Sequence, residues 1–209
     1  MGLWREMEMM QRLRPVELKD RVLWFEEIQN DLMEDCLRFS DKELVIVRNR
    51  HQQVLIVSRK GAIEAANFMD LNNKELNEAK TSDSLMNGIQ FDLINYELTN
   101  CNRNCNFRNS SFPVSFVVKA NSKMYQMSCS NSNSIEFLEH TASEEEMVDG
   151  SKRNVIFYKV DITDQFSRFE SELARGYCLC TEFENGLFKL ALKKYGNKID
   201  ETTHIDVTS

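Results

Sequence analysis

Six cysteines and three histidines are the scarce residues of this 209-residue chain among those that could serve as nucleophiles, bases or metal ligands. The cysteines stand at 36, 101, 105, 129, 178 and 180, and the histidines at 51, 140 and 204. A zinc site needs paired ligands at short spacing so that a tetrahedron can close. The chain has no C-x-x-C, and no histidine stands at finger spacing from a cysteine pair. "CNRNC" (101–105) could grip a metal or close a disulfide, but its asparagine-rich surroundings read as a polar loop with two free thiols. In "YCLCTEF" Cys178 and Cys180 lie two apart on a strand pattern, so both face one side of it. Buried reduced thiols are the ordinary state of such residues in a reducing compartment. An enzyme would need a nucleophile, a base and an orienting group, and no G-x-S-x-G, phosphate loop, H-E-x-x-H or dinucleotide fingerprint is present. The chain reads as a non-enzyme with no metal site and no cofactor. Binding is what remains.

One stretch carries a different chemistry. "EEIQNDLMED" (26–35) holds five acids and no base. Such a run is either a solvated face or an extended segment that displays carboxylates for recognition. Residues 1–35 carry five basic and nine acidic residues, whereas 36–209 carry 21 and 24. Directly beyond Asp35 the character changes to β-branched runs, which sets a boundary between a segment 1–35 and a domain 36–209. The net charge of −7 argues against nucleic acid or an anionic membrane surface as partner. No apolar run approaches the roughly 18 residues of a membrane span. The first residues lack the apolar core of a secretory signal, and Glu6 stands where myristoylation favours Ser or Thr. The expectation is a product made in the cytoplasm without membrane insertion, in which the Asn109 glycosylation sequon is idle.

The elements that must position any binding residues are short strands. "LVIVRN" (44–49), "QVLIVSR" (53–59), "IQFDLINYEL" (89–98), "VSFVVKA" (114–120), "MYQMSC" (124–129) and "SIEFLEH" (134–140) are rich in β-branched and aromatic residues. "NVIFYKVD" (154–161), "QFSRFES" (165–171), "YCLCTEF" (177–183), "LFKLALKK" (187–194) and "THIDVTS" (203–209) continue the series. Turn chemistry separates many of them, as in "ANSK", "SNSNS", "VDGSK" and "ENG". That pattern predicts an all-β sandwich, barrel or trefoil. Residues 72–88 read as a short helical turn or a loop, and 99–111 as a polar loop. Residues 1–35 show a weak helical pattern interrupted by Pro15, with an apolar knot "VLWF" at 22–25.

The string "FESELARGYCLCTEFENGLFKLALKK" (169–194) resembles the signature of the interleukin-1 cytokine family. Phe169, Ser171, Leu179, Cys180 and Thr181 fall in matching places. Arg175 stands where the family usually has Pro, and Glu172 and Cys178 also depart. "KELVIVRNRHQQVLIV", "SKMYQMSCSNSNSIEF" and "NVIFYKV" are similar to family strands in the same order, so the resemblance covers nearly all of 36–209. Residues 1–35 agree in length with a family precursor region, and "LKDRVLWFEE" looks like part of one.

The resemblance implies a β-trefoil, a six-stranded barrel capped by three hairpins, with an N-terminal propeptide 1–35 and a cytokine domain 36–209. It implies a pro-inflammatory cytokine precursor cut by caspase-1, an inflammatory caspase, between Asp35 and Cys36. Leu32 would be the recognition residue three positions earlier, and a cationic protease pocket would take the Asp35 carboxylate. The released monomer would bind a receptor chain, recruit an accessory receptor chain, and meet a soluble binding protein. It would leave the cell by an unconventional route. Arg48 coincides with a receptor-contact arginine, Asp70 falls near a contact acid, and Lys152 lies on the side that faces the accessory chain. Phe39, Glu43 and Gln52 depart from the family at neighbouring positions. A receptor antagonist or intracellular regulator is the alternative within the family, and a cytosolic β-trefoil scaffold the alternative outside it.

Overall fold

The computed structural model describes residues 13–19, 22–27, 37–60, 63–72, 74–77, 88–98, 111–141, 147–148, 150–196 and 198–208. The chain divides into two compact units, Met1–Asp35 and Cys36–Ser209.

The first unit contains an antiparallel hairpin of β1 (Leu13–Lys19) and β2 (Val22–Glu27), where the sequence pattern suggested weak helix. Pro15 explains the outcome. It has no N–H for a helix interior, but a strand accommodates it at a bulge, and the hairpin register shifts between Pro15 and Glu17. The apolar knot at 22–25 becomes β2.

In the second unit one thirteen-stranded sheet is formed, numbered β3 to β15. Its strands are β3 (Leu37–Asn49), β4 (Val54–Lys60), β5 (Ile63–Met69), β6 (Gln90–Leu98), β7 (Ser111–Ala120), β8 (Lys123–Cys129) and β9 (Ile135–His140). Next come β10 (Met147–Val148), β11 (Phe157–Asp161), β12 (Ser167–Ser171), β13 (Tyr177–Glu184), β14 (Leu187–Lys194) and β15 (Ile205–Thr208). The antiparallel pairs β3–β6, β6–β7, β7–β11, β11–β12, β12–β15 and β15–β3 close a ring of six strands. Hairpins β4–β5, β8–β9 and β13–β14 extend from that ring. A closed ring leaves none of its six strands as an edge. Barrel plus three hairpins is the β-trefoil.

The barrel is filled by phenylalanines, one from each of four successive barrel strands. Phe91 of β6, Phe116 of β7, Phe157 of β11 and Phe169 of β12 are all fully buried. Phe116 stands at the centre, edge-on to Phe169 at 5.1 Å, to Phe157 at 6.1 Å and to Phe91 at 6.5 Å between centroids. Such pairs add about 0.5–1.5 kcal/mol each beyond the burial itself. A second, smaller apolar cluster holds Leu37, Ile94, Tyr96, Val117, Val155, Ile156 and Tyr158.

Turn chemistry sets the hairpins. Asn121 and Ser122, between β7 and β8, both have positive φ (50° and 64°), as do Asn185 and Gly186, between β13 and β14 (52° and 82°). These are the left-handed two-residue turns that match strand twist and favour asparagine and glycine. Residues 74–77 form one helical turn. It is capped by Asn72, whose Oδ1 accepts from the amides of Lys74 and Glu75, while Glu75 accepts in return from the Asn72 amide.

Candidate functional site

The β3–β4 turn is built around Asn49, a fully buried polar residue. Its Oδ1 accepts from the amides of His51 (2.9 Å) and Gln53 (3.1 Å), and its Nδ2 donates to Gln53 Oε1 (2.8 Å). Gln52, with φ 64°, makes the reversal. Each buried polar atom is thereby satisfied inside the turn, which fixes its shape. Gln53 Nε2 then donates to Asp70 Oδ2 at 3.3 Å, tying the turn to the end of β5.

From the same turn an apolar surface begins. The His51 ring lies 5.7 Å from Phe188 on β14, and Phe188 lies 4.9 Å from Phe183 on β13. Phe183 is 66% exposed, Leu187 46% and Met69, next to Asp70, 47%. These residues lie beyond the barrel, at the ends of β5, β13 and β14, where no inner layer covers them. Solvent-exposed aromatics joined to an ordered polar turn form the kind of patch that anchors a protein partner.

Arg48, on the other side of β3 from Asn49, donates to Thr208 Oγ1 of β15 and is half-buried. Asp70 is exposed and belongs to the β3–β4–β5 edge. Asp70 is tied to the β3–β4 turn through Gln53, whereas Arg48 reaches across to β15. Lys152 is elsewhere, within a 3-10 turn (Gly150–Val155) whose Asn154 donates to Ser128 of β8 at 2.8 Å. Beside that turn lies an open groove of about 440 Å³ with Ser128, Glu136, Leu138, Arg153, Asn154 and Leu173 in its walls. Leu32, Asp35 and Cys36, with Cys101 and Cys105, lie outside the described residues. The first described residue after Cys36, Leu37, is buried and pairs with Leu98 of β6 and Val148 of β10.

Sequence patterning missed the aromatic edge. Phe183 and Phe188 sit within strands that otherwise read as core, and only their position astride "ENG" marks them as hairpin-tip residues.

The chemistry of the remaining groups is structural. Cys178 and Cys180 are buried and free, and burial pushes both thiols up to about 12, so neither is a nucleophile at neutral pH. Cys129 is also buried and free. Among the described residues no group of three His, Cys, Asp or Glu side chains could hold a metal ion. Asp200 is held down to about 2 by hydrogen bonds from Lys193 and Thr202. His204 is lowered by burial first and then by the nearby Arg50.

Two departures from the family signature meet in space. Glu172 and Arg175 form an ion pair, and the Arg175 guanidinium lies 4.5 Å over the Tyr158 ring. Burial and the Glu172 charge push the Tyr158 hydroxyl up to about 12.

A family model described as Interleukin-1 / 18 matches residues 67–204. The chain is 28% identical to interleukin-18 of Capra hircus over 196 residues, covering 92% of this chain and 91% of that protein. It is likewise 28% identical to interleukin-18 of Bos taurus over 197 residues, with the same coverage. Among solved structures it resembles chicken interleukin 1 beta, with a TM-score of 0.56 at 15% identity over 83% of this chain and 99% of that one. A chicken interleukin-1 hydrophobic cavity mutant gives a TM-score of 0.57 at 16% identity, with the same coverage.

Proposed function

The chain belongs to the interleukin-1/18 family as an interleukin-18-like cytokine, and from that premise we propose that it is a precursor cut by a caspase-1-type protease between Asp35 and Cys36. The released domain binds one receptor chain and recruits an accessory chain, so that their cytoplasmic portions meet. Members of this family are cytokines, not enzymes. The precursor is cytoplasmic, and the processed domain leaves the cell by an unconventional route.

The observation that carries the receptor reading is the continuous edge from Asp70 through Gln53 and His51 to Phe188 and Phe183. It joins an exposed carboxylate to exposed aromatics on a turn whose shape is fixed by Asn49, and a preformed surface loses little entropy on binding. The groove beside Lys152 offers a second surface on different strands, which suits a second chain. The processing reading is supported by the boundary between the two units, which falls between Asp35 and Cys36. Leu37, two residues after the cut, is anchored on both sides, so the domain keeps its first strand once the segment is removed.

The test uses reporter cells carrying both receptor chains of the source organism. Full-length protein is expected to be silent and caspase-1-treated protein active. The Asp35→Ala variant is expected to resist cutting and stay silent, with stability changed by less than about 0.5 kcal/mol. Phe183→Ser should process normally and lose roughly tenfold or more in receptor affinity. Equal signalling by cut and uncut protein, or a fragment beginning elsewhere than Cys36, would refute the processing step. Undiminished binding by Phe183→Ser would remove the aromatic edge from the receptor surface.

A further inference from the structure

The chain contains two Asn-Gly pairs, Asn87–Gly88 and Asn185–Gly186. In such pairs the glycine amide nitrogen can attack the asparagine side chain, because no Cβ on the glycine blocks the approach. The fold treats the two nucleophiles in opposite ways. Gly88 is buried, its amide donates to Lys119 O at 2.7 Å, and its carbonyl accepts from Val57 N at 2.7 Å. A Cβ there would sit 1.9 Å from Val57 O, so this peptide is clamped between two strands. Gly186 is exposed, and nothing lies within 4 Å of the place its Cβ would take. The β13–β14 ladder ends at the pair Glu184↔Leu187, which leaves the Asn185 and Gly186 amides outside it.

We propose that Asn185 is a site of spontaneous conversion to aspartate and isoaspartate in the folded protein, while the clamped Gly88 amide holds back the same step at Asn87. A base in solution takes the Gly186 amide proton and the nitrogen bonds to Asn185 Cγ. The Cγ–Nδ2 bond breaks and ammonia leaves. Water then opens the resulting succinimide at either carbonyl. Opening at one gives aspartate, and opening at the other gives isoaspartate, which routes the backbone through the former side chain and lengthens it by one carbon.

The position gives the step a consequence. A two-residue turn with both φ positive depends on its length to set the register of the strands it joins. The lengthened turn disturbs the Phe183↔Phe188 pairing, and either product adds a negative charge beside Glu184. Recognition through the aromatic edge therefore declines with the age of the molecule. That last consequence rests on the proposed receptor reading; the chemical step does not.

The experiment ages the full-length protein at mildly alkaline pH and maps its peptides by mass and by isoaspartate methylation, with a denatured sample alongside. Conversion at Asn87 is expected to be at least roughly tenfold slower than at Asn185, because the Gly88 hydrogen bonds must open first. In denaturant the two should approach each other. Asp149–Gly150 can also isomerise and be methylated, but without the mass gain that marks loss of ammonia from an asparagine, so mass and methylation read together on each mapped peptide separate it from Asn87 and Asn185. Comparable rates at both asparagines in the folded protein, or no conversion at Asn185, would overturn the proposal. For the consequence, aged and fresh protein are cut with caspase-1 and their receptor binding compared, with Asn185→Asp as the charge-only variant. Undiminished binding by the aged, folded protein overturns the loss of recognition while leaving the chemistry in place. Absence of binding by fresh cut protein would instead count against the receptor reading itself.

Discussion

Replacing Arg175 by alanine removes two interactions made by one guanidinium. Arg175 pairs with Glu172 and lies over Tyr158, and the Glu172 side chain is only 15% exposed against 55% for Arg175. The half-exposed cation limits the ion pair to about 1 kcal/mol once solvent screening is allowed for. The ring contact adds about 0.5–1 kcal/mol. A largely buried carboxylate deprived of its partner adds about a further 1 kcal/mol. Arg175→Ala is therefore expected to cost about 2–3 kcal/mol. Glu172→Gln should cost less, about 1 kcal/mol, because the arginine it leaves can turn to water. The two losses overlap, so the double variant should fall short of their sum by roughly 1 kcal/mol. Urea unfolding of the Cys36–Ser209 fragment and its three variants measures all of these, and unchanged m-values would show that the native states are alike. A neutral Arg175→Ala, or strictly additive losses, would refute the idea that these two departures from the family signature form one unit.

Three further outcomes are expected. Gly88→Ala should destabilise by about 3 kcal/mol or more, since its Cβ meets the Val57 carbonyl and φ is +89°; a stable, soluble variant seen by thermal unfolding would be the contrary result. Asp200 has its carboxyl pKa depressed from 3.8 to about 2, so the unfolded chain takes up its proton first, and this stability is present above pH 3.8 and lost as pH falls towards about 2. Lys193→Met, which removes the first cause of that shift, should flatten this part of the acid-unfolding curve and leave it steep elsewhere. Replacing Cys36, Cys101 and Cys105 by serine should keep the unfolding midpoint and slow oxidative loss of activity, because the strand cysteines 129, 178 and 180 are buried; a large fall in midpoint would reveal a structural role for one of the three.

How much of this was legible beforehand depended on whether an element is local. "LVIVRN" and "QVLIVSR" carry their strand character in their own residues, and "ENG" carries its turn. β5 does not: "IEAANFM" has two alanines and an asparagine, and it becomes a strand through its continuous register with β4, from Val54↔Met69 to Lys60↔Ile63. The polar first half of β3 is likewise held by its partners on β6. At 154–155, where a strand was expected, the chain forms the end of a 3-10 turn, and Val155 and the following Ile156 join the second apolar cluster. Choosing a trefoil from strand spacing alone was impossible, because ring closure is a matter of which distant strands pair.

The site divides the same way. Asp70 and Arg48 were reached through family resemblance, and their surroundings only through the fold. Alternation says that Phe183 and Phe188 sit on strands, but not that the hairpin leaves Phe183 in solvent while Phe188 packs against the edge of the core. Glu172 and Arg175 looked like two separate departures until the 171–177 turn brought them together over Tyr158.

The pairing of β15 with β3 has a consequence for how the molecule is born. Val207 lies opposite Val47 and Ile205 opposite Asn49, so the last described strand is the stave that completes the barrel. A ribosome delivers β3 some 160 residues before β15, and until β15 clears the exit tunnel Ile46–Asn49 of β3 and Ser167 of β12 lack their β15 partners. Contacts this distant in sequence also make for slow closure. A nascent chain of this protein therefore closes its barrel only once β15 has been made, and a product cut short before Ile205 lacks the strand that lies against Asn49.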